Sequence, residues 1–223
     1  MRMKSSKPAQ LAARLGIYCI GLLILAFGIT LSVNSNLGVS PVSSLPYVVS
    51  RILNVSLGTC TTIVYALYVL FQMVLNGKKF QPELLLQLVF STLFGYFVDA
   101  AKLVMGDFML PGYLGKLAMQ GASIALISFS LVLYMDVNIA SMPAEGLVAC
   151  IAQKYGKPFS KIKTLFDCTS VMVGLTLCVV FLDSIVGIRE GTILTAMLVG
   201  RLTGVIRKRI SPLIRKVCFG KEA

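Results

Sequence analysis

The sequence predicts an all-α polytopic membrane protein: six transmembrane helices as two inverted three-helix repeats, each with a short broken or re-entrant helix. Three observations carry that expectation. The 223 residues are 57% hydrophobic and only 13% charged, about half of the ~25% charge with which a soluble domain dresses its surface. Apolar runs long enough to cross a bilayer recur along the whole chain. Of the 21 Lys and Arg residues, 16 fall in segments that six spans place on one side.

The elements follow in order. A basic tail, residues 1–13, leads into a first span over 14–34, too long for the apolar region of a signal peptide and therefore read as uncleaved. The stretch "NSNLGVSPVSSLP", Asn34 to Pro46, then breaks the chain with two prolines, a glycine and four serines. A short helix over 41–54 follows, with Pro41 suited to its first turn but too few residues to cross. Spans over 58–76 and 84–105 complete a first half, residues 14–105. The second half, residues 106–206, repeats the order. It has a span over 116–135, the break "DVNIASMPAEGL" (Asp136 to Leu147), a short helix over 143–155 opened by Pro143, and spans over 162–182 and 190–206. Residues 207–223 form a second basic tail.

Asn36, Pro41 and Leu45 recur as Asn138, Pro143 and Leu147, each 102 positions on, and Gly38 falls opposite Ala140. Laying 36–76 on 138–178 gives 6 identities in 41. That is too few to establish a repeat alone, so the order of elements and the Asn-x4-Pro-x3-Leu spacing carry it. Three spans per half is odd, so the second half enters the membrane from the opposite side. Paired interruptions in inverted halves point to the binding site in many secondary transporters.

The net charge of +12 lies in the tails and two short loops between apolar runs. It is a topology signal that places both termini in the cytoplasm, not a nucleic-acid stripe. The bilayer is the expected partner.

The "LGVSP" after the first span, the proline four residues before a leucine, and the weaker copy in the second half resemble the YczE/YitT-type bacterial integral membrane proteins. The resemblance covers about residues 12 to 210 and departs from the pattern at Ala140. It implies a multi-pass protein of the bacterial inner membrane, and speaks to fold more than to activity.

Catalysis is not expected. There is no histidine, the six cysteines form no CxxC pair, and no hydrolase or nucleotide motif appears in the required context. No cofactor or metal site is expected either. The candidate binding residues are ionisable groups in or near spans, which are costly there and mark function by default. Asp167 and Arg201 lie equally deep from one end of their spans, roughly 9 Å at the helical rise. They are therefore expected to pair, as a structural ion pair or as a gate. Glu145 follows Pro143 in the first turn of its helix, where it serves the helix dipole or a cation or proton. Asp99 and Lys102 have the spacing of a surface pair; Asp99 as a ligand is the alternative. Ser40, Ser44 and Ser141, with freed backbone around Pro41 and Pro143, offer polar groups to a solute. Tyr65 falls opposite Asp167, and Tyr96 near the counterpart of Arg201; each serves packing as readily as binding. Gly200 and Gly204, with Gly95 matching Gly200, read as close helix-packing positions.

These features predict a small-solute transporter or facilitator working by alternating access. Glu145, Asp167 and Asp99 outnumber Arg201, which favours a cationic or zwitterionic solute or proton coupling. A substrate-capture subunit of an ATPase-energised transporter and a non-transporting scaffold or regulator are the rival classes. Assembly as a homodimer is left open.

Overall fold

A computed structural model describes residues 8–77 and 83–219. The basic residues expected at 1–7, 78–82 and 220–223 lie outside the described residues. The described chain forms eight helices: α1 (Pro8–Ser35), α2 (Pro41–Leu53), α3 (Leu57–Asn76), α4 (Glu83–Met105), α5 (Gly112–Asp136), α6 (Pro143–Tyr155), α7 (Phe159–Phe181) and α8 (Glu190–Phe219). Two ends differ from the sequence reading. α1 starts six residues before the expected 14, and α8 absorbs most of the tail expected at 207–223. The reason is a stripe at four-residue spacing: Ile206 and Ile210 pack against the core, and Ile214 and Cys218 are buried in it. The basic residues of that tail decorate the other faces of one continuous helix.

α1, α3, α4, α5 and α7 are long and apolar enough to cross a membrane. α8 has 30 residues but is not among them, because Arg201 and the basic residues from Arg207 onward interrupt its apolar run.

The two breaks are built alike. Asn36 and Asn138 are left-handed, at φ 54° and 52°, and their N–H groups donate to Val33 O (3.2 Å) and Met135 O (3.3 Å). Asparagine is one of the few residues besides glycine that visit this region routinely. α2 and α6 each open on proline, run for 13 residues and stop at a left-handed cap, Asn54 and Gly156 respectively. Beyond those caps, Val55 N–H donates to Ser50 O and Lys157 N–H to Ala152 O. Each correspondence is again 102 residues apart.

α1 and α5 cross at the centre, where glycines permit close approach. A Cβ on Gly21 would sit 3.1 Å from Leu133 and Tyr134, and one on Gly28 would sit 2.9 Å from Ile127. α4 flanks α1 and α8 flanks α5, while α2 packs on α7 and α6 on α3. Two pairings have no comparable counterpart: α1 touches α8 where α4 and α5 have no such contact, and the larger departure is α3 with α4. α3 and α4 are in close contact, Gly58 meeting Gly95 and Asp99, and Gly95 meeting Thr62; α7 and α8 barely touch.

Candidate functional site

Each break is braced by glutamine amides from spanning helices. At the first, the buried Gln120 of α5 accepts from Ser32 Oγ (3.2 Å) and Ser35 Oγ (2.8 Å), and donates to Thr195 Oγ1 (2.9 Å) and Gly191 O (3.3 Å). Gly38, at φ 116°, lies against Arg189, just before α8, and Thr192 in its first turn. Val39 N–H donates to Gly187 O and Gly191 N–H to Leu37 O. At the second break, Gln72 Nε2 donates to Gln87 Oε1 (3.0 Å) and Pro143 O (3.2 Å), and Gln87 Nε2 to Ser141 Oγ (3.3 Å). Gly146 makes room for this amide pair: a Cβ there would lie 2.7 Å from both glutamine side chains.

The ends of α1 and α5 are also tied in matching ways. Lys102 Nζ donates to Asn34 Oδ1 at 3.0 Å, while Arg207 Nη2 lies 2.7 Å from Asp136 Oδ1. Asn34 and Asp136 are the residues just before the last of α1 and at the last of α5, 102 apart. The Asp136 carboxylate is fully buried, and the approach of Arg207 lies off the hydrogen-bonding direction, so this contact is coulombic. Arg14 donates to Val137 O (2.9 Å) and Asn138 O (2.8 Å), holding the second break against the start of α1. The breaks therefore lie at opposite ends of α1.

The second break carries the most chemistry. Tyr18 of α1, Tyr65 and Tyr68 of α3, Phe90 and Phe94 of α4 and Tyr134 of α5 share one buried cluster and form an aromatic wall of two ring-contact sets. Tyr18 stands 4.5 Å from Phe90 and 6.1 Å from Tyr134, and Tyr65 lies 6.2 Å from Phe94, ring centre to ring centre. Into this wall α6 sends Glu145 from its first turn. Tyr134 OH donates to Glu145 Oε1 at 3.4 Å, while Oε2 is buried without a hydrogen-bond partner among the described residues. Glu145 as a whole is part exposed, so solvent reaches the residue but not that oxygen. α6 is not one of the spanning helices. There, burial raises the Glu145 carboxyl above its usual range, opposed in part by Lys163. The Tyr68 hydroxyl is buried beside Ser170 without a well-formed hydrogen bond. A carboxylate bordered by aromatic faces suits a proton or a cation, the faces adding cation–π attraction.

The predicted residues divide between the two breaks. Ser40 caps α2 by accepting from Ser43 N–H, Pro41 opens the helix, and Ser44 Oγ donates to Pro41 O at 2.7 Å. Tyr65, Pro143, Glu145 and, at its exposed rim, Ser141 meet at the other. The expected Asp167–Arg201 pair does not form. Asp167 pairs instead with Lys163, one turn earlier at 2.6 Å, and Arg201 is exposed on α8. Equal depth fixed height but not direction, and these helices stand apart. Nor does Asp99 pair with Lys102: it accepts from Ser56 Oγ (2.7 Å) and Gly58 N–H (2.8 Å), fastening the start of α3 to α4. Lys102 turns to Asp107 at 2.8 Å, whose carboxyl it holds below its usual range by that hydrogen bond. Tyr96 is 70% exposed, away from both breaks. Gly95 packs on α3, but nothing among the described residues lies within 4 Å of a Cβ on Gly200 or Gly204, so neither is a packing contact there.

Sequence reasoning passed over Tyr18, Tyr134, Gln72, Gln87, Gln120 and Asp136. The three glutamines had a signal, since amides inside apolar spans must find partners. The tyrosines had none, because an aromatic residue in a span reads as packing.

An all-helical bundle with five helices of spanning length, interrupted twice, with a carboxylate among aromatic rings at one interruption, defines an integral membrane protein. The chain belongs to the Family of unknown function (DUF6198), which matches residues 12–208. It is similar to the uncharacterized protein YyaS of Bacillus subtilis (strain 168), 29% identical over 189 residues, covering 84% of this chain and 89% of that protein. It is also similar to the uncharacterized membrane protein YczE of the same organism, 28% identical over 197 residues, covering 86% and 84% respectively. The resemblance to YczE-type membrane proteins read from the sequence thus holds. No solved structure matches.

Proposed function

We propose that this protein moves a small polar solute bearing a positive charge across the bacterial inner membrane, by alternating access between α1–α4 and α5–α8 as inverted three-helix repeats. α2 and α6 are the half-helices, α8 is the sixth span, and both termini are cytoplasmic. The observation that carries this reading is Glu145, whose Oε2 is buried at the head of a broken helix with no hydrogen-bond partner among the described residues. A lone carboxylate at membrane depth is expensive; a cationic solute or a proton gives it the missing partner.

The packing supports the same reading. α2 lies on α7 as α6 lies on α3, and α4 lies on α1 as α8 lies on α5, the exchange expected of halves related by a two-fold axis. The departure is informative as well. The close α3–α4 contact and the separated α7 and α8 give one closed and one open half, and a rocking motion would interchange them. The surroundings of Glu145 offer tyrosines, amides and one lysine, a recognition set without a nucleophile–base pair, which supports transport over catalysis.

Reconstitution into proteoliposomes tests this. Pulses of small primary amines, quaternary amines and amino acids are applied while charge movement is recorded on a supported membrane. The expected result is a saturable current for one class, lost in Glu145→Gln protein that remains folded. Silence toward every class from folded wild-type protein overturns transport and favours a scaffold.

A further inference from the structure

At the other end of α1, remote from Glu145, a cleft of about 510 Å³ opens between α1, α2, the start of α3 and the end of α4. That volume is in the range of small-molecule sites. Its two cations differ. Lys102 is fully engaged by Asn34 Oδ1, Gly106 O and Asp107 Oδ1, at 2.8 to 3.0 Å. Arg51, in the last turn of α2, has no ion pair or hydrogen bond among the described residues.

The neighbours of Arg51 in the cleft are biased in the same direction. Asn36, Asn54 and Tyr47 also line it, and no hydrogen bond uses their side chains among the described residues. Of the two carboxylates nearby, Asp107 is ion-paired with Lys102 through Oδ1, and Asp99 behind Ser56 accepts from Ser56 and Gly58. Ser50 and Ser56 spend their hydroxyl protons on Tyr47 O and Asp99. Burial raises the Tyr47 hydroxyl above its usual range, so it stays protonated and able to donate. Its ring is fixed against Gly187, where a Cβ has no room. What remains is a set of unengaged polar side chains, each able to donate, around a guanidinium with no ion pair among the described residues.

We infer that this cleft is a binding site for a small oxyanion, a carboxylate, sulfonate or phosphate group held by Arg51 with Tyr47, Asn36 and Asn54 as supporting donors. The planar fork of arginine matches such groups in a bidentate manner, which lysine does not. An arginine at a helix C-terminus also favours its own helix dipole. That structural role predicts loss of stability on substitution, but no anion-specific response. The inference concerns binding alone and stands whether or not the protein transports.

The test is thermal unfolding of detergent-purified protein titrated with acetate, methanesulfonate or inorganic phosphate, against chloride at matched ionic strength. The expected result is saturable stabilisation by at least one of the three anions. It is weakened at least tenfold in apparent affinity in Arg51→Gln, weakened less in Arg51→Lys, and unchanged in Arg201→Gln. Nanodiscs of phosphatidylcholine with and without phosphatidylglycerol separate the sources. Stabilisation by phosphatidylglycerol that depends on Arg51 and is not competed by the free anions assigns the site to a lipid headgroup. Competition by them assigns it to a soluble anion. Either result supports the oxyanion site. No stabilisation by any anion or by phosphatidylglycerol, or an equal response in wild type and Arg51→Gln, overturns it. Because Glu145→Gln should leave this response intact, its failure and that of the transport reading are distinguishable.

Discussion

Asn36 and Asn138 stand 102 residues apart in the same left-handed conformation, at φ 54° and 52°, each donating its N–H to the carbonyl three residues earlier. Glycine adopts this region freely, alanine at a cost of roughly 1–2 kcal/mol, and a β-branched residue only as an outlier. Asn36→Gly and Asn138→Gly should therefore leave the apparent Tm in detergent nearly unchanged. The alanine variants should lower it and the valine variants lower it further. Equal tolerance of glycine and valine would show that the turn is not fixed by backbone conformation.

Gly95 and Gly200, matched in the sequence reading, have opposite surroundings. A Cβ on Gly95 meets Thr62 and the backbone of Gly58, while one on Gly200 meets nothing within 4 Å. Gly95→Ala should destabilise the protein by about 1–3 kcal/mol, the usual cost of overpacking. Gly200→Ala should be neutral or slightly stabilising, since alanine suits a helix interior better than glycine. Thermal unfolding of the two variants checks the contrast, and a cost at Gly200 equal to that at Gly95 would contradict it.

Arg207 is half exposed, but the Asp136 carboxylate it serves is fully buried. Arg207→Gln strands that carboxylate and should cost about 1–3 kcal/mol. Adding Asp136→Asn removes the stranded charge and should return part of the loss. A double-mutant cycle reads the coupling directly, and additive effects would mean that the two groups do not interact.

Glu145 also gives a pH signature. Burial raises its folded-state value above the unfolded one. Its favourable contribution is therefore complete below the unfolded value, near ~4.3, and is lost as pH rises through the folded value. Glu145→Gln stays neutral throughout. Its apparent Tm should match wild type below about pH 4 and exceed it increasingly as pH rises to the folded value. A difference that is constant with pH, or that shrinks as pH rises, would contradict this assignment.

Much of the fold was legible because the bilayer imposes a coarse code. Apolar length marked the spans, and Pro41 and Pro143 marked both short helices at their observed first residues. The end of α8 was not legible. There the charges of Arg207, Lys208 and Arg209 were weighed for topology, and the four-residue stripe of Ile206, Ile210, Ile214 and Cys218 between them was passed over. The site was legible only where the sequence repeat pointed at it, as with Glu145 beside Pro143. Its aromatic wall comes from α1, α3, α4 and α5, which are neighbours only after folding. Asp167 and Arg201 show the same limit: distance from a membrane face is written in the sequence, and the direction a side chain faces on its helix is settled only by the neighbours it packs against.

The equal 13-residue lengths of α2 and α6 act as a gauge. Each short helix is clamped between a proline start and a left-handed stop. One inserted residue would turn everything beyond it by about 100° relative to what precedes it. In α2 that would swing Arg51 out of its cleft; in α6 an insertion before Glu145 would carry the carboxylate off the tyrosine wall. Related chains can therefore vary the loop between α4 and α5 in length far more freely than either of these two short helices, whose residue count is a fixed dimension of the machine.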